Sequence, residues 1–132
     1  MIVDTSAVLA VLFDEADAGR FGHALAQAES CRMSAANFLE AALVAEGRGE
    51  TAAGDDLDLL LETAGVELVA VTEDQARAAR RAWRRYGKGR HAAALNFGDC
   101  FAYALSQSSG EPLLYKGADF AATDVGSVLG VT

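Results

Sequence analysis

Stretches of two to six apolar residues, too short for helices, alternate along this chain with longer segments that carry helix caps and helical spacing. Met1 to Asp4 reads as a short buried strand that stops at a carboxylate. Ser6 is positioned to cap an apolar helix through Phe13. Asp17 to Glu29 reads as a second helix, and Cys31 to Ser34 as a strand. Ser34 then caps a helix from Ala35 to about Gly47, closed by Gly47-Arg48-Gly49. A further helix covers Asp55 to Ala64, and β-branched Val66 to Val71 forms a strand. Thr72-Glu73-Asp74-Gln75 is a capping box opening a helix through Tyr86. Gly87 to His91 is a basic glycine-rich loop, and Gly98 starts a helix through about Ser109. Leu113 to Tyr115 is a strand, Phe120 to Ala122 a helical turn, and Ser127 to Val131 a last short strand. Strands alternating with helices predict an α/β fold: a three-layer sandwich with a central, mostly parallel sheet flanked by helices. Ligands of such sheets sit outside the carboxyl ends of the strands, where Asp4 falls.

The chain of 132 residues has room for one domain, residues 1–132, and its 52% hydrophobic content supplies a core. A single proline excludes a proline-rich tail. With a net charge of −8, the protein cannot hold nucleic acid by bulk positive charge; it needs a local basic patch or a bridging cation. The start lacks a cationic leader, and the apolar run Ala7 to Phe13 is far short of the roughly 20 residues that span a bilayer. A cytoplasmic protein without a membrane partner is expected. Cys31 and Cys100 are far apart and, with only His23 and His91, make no zinc pattern; two buried free thiols are expected.

Three acids stand alone in segments built for the core. Asp4 is the only charged side chain in residues 1–13, Glu40 the only one from Met33 to Ala45, and Asp99 the only one from His91 to Gly110. The helical neighbours of Glu40 are Ala36, Asn37, Leu43 and Val44, none of them basic. Each carboxylate must have its desolvation offset. Either each bonds backbone amides on its own, as caps do, or the three converge on a shared cation. Mid-helix Glu40 cannot act as a cap. Oxygen-only sites suit hard cations such as magnesium or manganese (Mg2+ or Mn2+), and such sites serve phosphodiester chemistry.

Four stretches in order, Ile2-Val3-Asp4-Thr5-Ser6-Ala7, Ser34-Ala35-Ala36-Asn37-Phe38-Leu39-Glu40, Leu95-Asn96-Phe97-Gly98-Asp99-Cys100-Phe101-Ala102-Tyr103-Ala104 and Leu113-Leu114-Tyr115-Lys116-Gly117-Ala118-Asp119-Phe120, resemble the PIN-domain ribonucleases, specifically VapC-like toxins of type II toxin–antitoxin pairs. The resemblance implies that Asp4, Glu40 and Asp99 are metal-binding acids and that Thr5 or Ser6 helps hold the site. Many relatives carry an acid at the position of Gly117. Here Asp119 is the candidate fourth acid and Asp124 a weaker one. The implied activity is Mg2+- or Mn2+-dependent endonucleolytic cleavage of RNA. The implied partners are a second copy of the chain and an antitoxin whose C-terminal segment lies in the active cleft.

Seven of the eleven basic residues lie between Arg77 and Arg90. On a helix Arg77, Arg80, Arg81, Arg84, Arg85 and Lys88 share one face, and Ala76, Ala79, Ala82, Trp83 and Tyr86 share the other. The basic face, with Arg90 in the loop beyond, is either a solvated surface or a track for RNA phosphates. Trp83 reads as a core anchor or a stacking residue. Asn96 either caps the helix that carries Asp99 or bonds a metal-bound water. Ser6 has no histidine partner for nucleophilic catalysis, and no phosphate-binding P-loop is present. A phosphoacceptor receiver domain is disfavoured because Val69-Ala70-Val71 ends at Thr72 rather than at an aspartate. The missing acid at Gly117 motivates the alternative of a catalytically silent module that binds nucleic acid or a protein partner on the same scaffold.

Overall fold

The computed structural model describes residues 1–48 and 51–130. Four strands, β1 (Ile2–Val3), β2 (Cys31–Ser34), β3 (Val66–Val69) and β4 (Leu113–Leu114), form one sheet in the order β3-β2-β1-β4, every pair parallel. Ile2 is in register with Arg32 on one side and Leu113 on the other. The helices are α1 (Thr5–Leu12), α2 (Ala18–Gln27), α3 (Ala35–Gly47), α4 (Thr51–Thr63), α5 (Glu73–Tyr86) and α6 (Phe97–Ser109), followed by a 3-10 turn at Phe120–Ala122.

Strand periodicity divides the core into two layers. Ile2 and Leu113 point into a cluster with Ala79, Ala82, Tyr86, Leu105 and Phe120, beneath α5 and α6. Val3, Met33 and Leu114 point the other way, to Val8 of α1, Phe21 of α2, Ala41 of α3 and Leu57 of α4. Ile2, Val3, Leu113 and Leu114 are fully buried, and each such side chain contributes roughly 1.5–3 kcal/mol of transfer free energy. Cys31 and Cys100 are buried free thiols, as expected. No described helix is long and apolar enough to cross a membrane.

Several boundaries move. Asp4, not Ser6, is the N-cap of α1: its backbone is extended and its carboxylate accepts the Ser6 N–H. α4 begins at Thr51 rather than Asp55, and β3 stops at Val69. Only half of the capping box at Thr72 forms. Its hydroxyl accepts the Gln75 N–H, but the Gln75 side chain donates across to Ser108 at 2.7 Å. The expected last strand reduces to a bridge between Ser127 and Leu113. Val131 and Gly49, parts of the expected strand and helix stop, lie outside the described residues. Helix α5 ends at Tyr86 because Gly87 turns extended, so Lys88 is not on the helical stripe.

Candidate active site

The parallel sheet delivers Asp4 first. Residue 4 ends β1 and caps α1, so one short segment both terminates the strand and aims a carboxylate beyond its carboxyl end. Asp4 Oδ2 accepts the Ser6 N–H at 3.0 Å and the Ser6 hydroxyl at 2.5 Å. Ser6 Oγ in turn accepts the Lys116 backbone N–H at 2.9 Å, which ties the exit of β4 to the start of α1. Asp4 Oδ1 is buried without a hydrogen-bond partner. Burial pushes the Asp4 carboxyl up to about 7 against the Ser6 hydrogen bonds, and the negative charges of Asp99 and Glu40 push in the same direction.

Helix α3 delivers Glu40. Ser34 caps the helix as expected, accepting the Ala36 N–H at 3.3 Å. Asn37, one turn before Glu40, is fully buried. Its Nδ2 donates to the Gly98 carbonyl at 2.9 Å and to Glu40 Oε1 at 3.4 Å, and its backbone carbonyl accepts the Thr5 hydroxyl at 3.1 Å. Asn37 therefore pins α1, α3 and α6 to one another, and Thr5 acts through it rather than on the acids. Sequence reasoning passed over Asn37; the available signal was a polar side chain one helical turn from Glu40 on an apolar helix.

Helix α6 delivers Asp99. Asn96 is the cap: its Oδ1 accepts the Asp99 N–H at 2.9 Å and Asp99 Oδ2 accepts the Asn96 N–H at 3.0 Å. Of the two sequence readings of Asn96, this is the capping one. Burial pushes Asp99 up to about 6, with the charges of Asp119 and Glu40 adding to it against the Asn96 backbone hydrogen bond. Gly98 is the second residue that sequence reasoning missed. A Cβ there would collide with the Glu40 carboxylate.

The acids are thus electrostatic neighbours: Asp4 feels Asp99 and Glu40, and Asp99 feels Glu40 and Asp119. Asp119 is exposed and precedes the 3-10 turn. Asp124 is engaged elsewhere, accepting from the Tyr103 hydroxyl and from Arg85 Nη1 at 3.3 Å. Gly117 has φ of 105°, a conformation that a side chain strains, so this backbone does not suit an acid at 117. Among the described residues no three His, Cys, Asp or Glu side chains close into a preformed metal cage. Asp99 is turned into its own cap, Asp4 Oδ2 is held by Ser6, and Glu40 is held by Asn37. The donors are all carboxylate oxygens, and the buried, unpaired Asp4 Oδ1 faces a field of like charge, so the residues fit a hard divalent cation.

The basic residues divide. Arg77 pairs with Glu73 at 3.2 Å and Arg85 with Asp124, while the Arg90 guanidinium lies 4.3 Å over the Trp83 ring. Arg80, Arg81, Arg84 and Lys88 are exposed and make no ion pair among the described residues. Trp83 is 40% exposed and not a core anchor. It lines an apolar groove of about 420 Å³ with Arg80, Phe97 and Phe101.

Comparison with known proteins identifies the family and the fold. The PIN domain family model matches residues 1–126. Ribonuclease VapC30 of Mycobacterium tuberculosis is 56% identical over 129 residues, covering 97% of this chain and 98% of that protein. The crystal structure of M. tuberculosis VapC20, a Sarcin-Ricin loop cleaving toxin, superposes with a TM-score of 0.80 at 20% identity, covering 96% of this chain and 97% of that one. A toxin–antitoxin complex from Klebsiella pneumoniae gives 0.71 at 16% identity over 93% and 92% of the two chains. The chain belongs to the PIN-domain family and, within it, to the VapC ribonucleases.

Proposed function

We propose that this ribonuclease is the toxin of a toxin–antitoxin pair and cuts RNA endonucleolytically, using a divalent cation, Mg2+ or Mn2+, held by Asp4, Glu40, Asp99 and Asp119. The observation that carries the reading is the Asp4 carboxylate: buried, with Oδ1 unpaired, its pKa raised chiefly by burial and further by the charges of Asp99 and Glu40. When bound, such a cation supplies the positive charge that stabilises a phosphate transition state and eases deprotonation of an attacking water. Ser6 holds Asp4 Oδ2, which leaves the buried Oδ1 as the uncommitted donor. Asn37 and Gly98 hold Glu40 against α6. Asp99, with its pKa near 6, is suited to hold a proton taken from water or to ligate, once rotated out of its cap.

Arg80, Arg81, Arg84, Arg85, Lys88 and Arg90 would contact RNA phosphates, with Arg85 and Arg90 already engaged in the free protein. The net negative charge of the whole chain requires such a local track. An antitoxin would silence the enzyme by laying its C-terminal segment across the cleft, with a cationic side chain among the acids. Exposed Leu39, Leu43 and Phe97 favour pairing with a second copy of the chain. The place of action is the cytoplasm, where the RNA is.

RNA-end mapping after controlled expression, with Asp99→Asn alongside, tests the reading. New RNA ends in the presence of Mg2+ or Mn2+ are expected from the parent and none from a folded Asp99→Asn. Full cleavage by that variant overturns the assignment. RNA binding without products by the purified parent favours the silent module.

A further inference from the structure

A second concavity lies beside the acids and is not used by them. In the order β3-β2-β1-β4, the chain leaves β1 toward β2 on one side, while β4 lies on the other. The crevice at the carboxyl ends of β1 and β4 is therefore the topological switch point of the sheet, where ligands of open parallel sheets bind. Beside this crevice, off the carboxyl end of β4 and against the start of α2, opens a pocket of about 330 Å³, lined among others by Asp17, Arg20, Phe21, Tyr115, Lys116 and Ala121. The segment from Lys116 to Ala121 is the wall shared with the acid cleft. Lys116, Gly117, Ala118 and Ala121 line the pocket, while Asp119 between them is an electrostatic neighbour of Asp99. The Lys116 backbone N–H bonds Ser6 Oγ, so the lip of the pocket is one hydroxyl away from Asp4.

The lining is mixed. Phe21 is buried as an apolar floor, and the half-buried Tyr115 ring stands 5.3 Å from that of Phe120. Lys116 Nζ bonds Glu15 at 2.5 Å and forms a second ion pair, at 3.0 Å, with the buried Oδ1 of Asp17, whose carboxyl the lysine holds below its usual range. An ammonium donor and a carboxylate acceptor thus stand side by side at the edge of an aromatic-walled pocket. Arg20 is exposed on the rim. A flat heterocycle with neighbouring donors and acceptors matches this lining, and an anionic group attached to it matches Arg20.

Resting on the ribonuclease reading above, we infer that this pocket seats one unstacked RNA base flanking the scissile phosphate, with Lys116 and Asp17 reading its hydrogen-bonding edge. Wedged between Tyr115 and the 116–121 wall, the base fixes the adjacent phosphate over the acids. The pocket then selects the nucleotide next to the cut, while the acids perform the cut.

The test compares cleavage-site sequences on a mixed RNA pool for the parent, Ala121→Trp, which plugs the pocket from its exposed rim, and Asp17→Asn, which removes the charged acceptor. Equal thermal midpoints establish that the variants fold. A base preference at one position beside the cut is expected in the parent, falling about tenfold in both variants. In parallel, 15N-labelled Asp99→Asn is titrated with the four ribonucleoside 5′-monophosphates. Shifts of the Gly117, Ala118 and Ala121 amides are expected, and they disappear when Ala121→Trp is added. A parent that cuts RNA with a preference unchanged in both variants overturns the base pocket, whatever the titration shows. A parent that cuts nothing, with these shifts intact, overturns the ribonuclease reading and leaves the pocket standing. No cutting and no shifts overturn the pocket as well.

Discussion

The carboxylate of Glu40, on α3, occupies the space where a Cβ at residue 98, on α6, would stand, so any side chain there must push the carboxylate aside. The Asn37 amide donates to both the Gly98 carbonyl and Glu40. This contact predicts a separation of activity from stability. Gly98→Ala should not weaken α6, because alanine favours a helix over glycine by about 1 kcal/mol. It must displace Glu40, and a misplacement of that size costs about 10²-fold in kcat. Cleavage kinetics beside a thermal melt check this; parental kcat in the variant removes the positional role of Gly98.

The pH dependence of stability has a definite sign. The folded pKa values of Asp4 and Asp99 are raised, to about 7 and about 6, from the ordinary aspartate value of 3.8. The folded state therefore binds their protons more tightly than the unfolded chain. Stability is fully present below about 4 and is lost as pH rises through 6 and 7. Chelator-treated protein should melt lower at pH 8 than at pH 5. Added Mn2+ should restore the midpoint more at pH 8, where both acids are charged. Asp4→Asn should flatten the dependence. A midpoint that rises steadily from pH 5 to pH 8 in chelator contradicts the assignment of these shifts.

Removing Asn37 should do more than remove one hydrogen bond. Asn37→Ala leaves the buried Gly98 carbonyl without its side-chain donor and frees Glu40, a loss of about 1–3 kcal/mol in stability. Asn37→Asp places a further negative charge beside Glu40. Chemical denaturation should rank the parent above Asn37→Ala, and Asn37→Ala above Asn37→Asp in chelator at neutral pH.

The basic residues predict graded salt effects. Arg80→Ala and Arg84→Ala each remove a cation that has no partner among the described residues. Each should lower the slope of log affinity against log salt by about 0.7 for single-stranded RNA. Arg85→Ala should in addition release Asp124, which Tyr103 and Arg85 share. Binding titrations at several salt concentrations, on a catalytically dead Asp99→Asn background, read the slopes directly.

Phe97 is 81% exposed at the first position of α6, and Leu43 is 63% exposed on α3. Phe97→Asp and Leu43→Asp should shift a dimer toward monomer in sedimentation without lowering the midpoint of the monomer. An unchanged sedimentation coefficient in both variants places the self-contact elsewhere.

The strands and most helices were legible because their signals are local. Cys31–Ser34 and the Ser34 cap are read from adjacent residues and recur unchanged in the fold. Boundaries failed where a side chain had two local options. Asp4 and Ser6 both can cap α1, and the carboxylate took the amide while the hydroxyl bridged to Lys116. Gln75 could have closed its box but reached Ser108 on another helix. Trp83 lies on the apolar side of its helix in sequence, yet while Ala79, Ala82 and Tyr86 of that side are buried, Trp83 lines an open groove with Phe97 and Phe101 of α6.

From sequence alone came the isolation of Asp4, Glu40 and Asp99 and the alternation that sends them toward a parallel sheet, since charge spacing and periodicity are properties of the chain itself. Tertiary structure alone decided that Asn37 and Gly98 complete the contact around Glu40, that Asp124 belongs to Tyr103 and Arg85, and that a pocket opens beside β4. These depend on which segments pack together, and a packing distance between residues 61 positions apart, such as Asn37 and Gly98, leaves no mark on the neighbours of either.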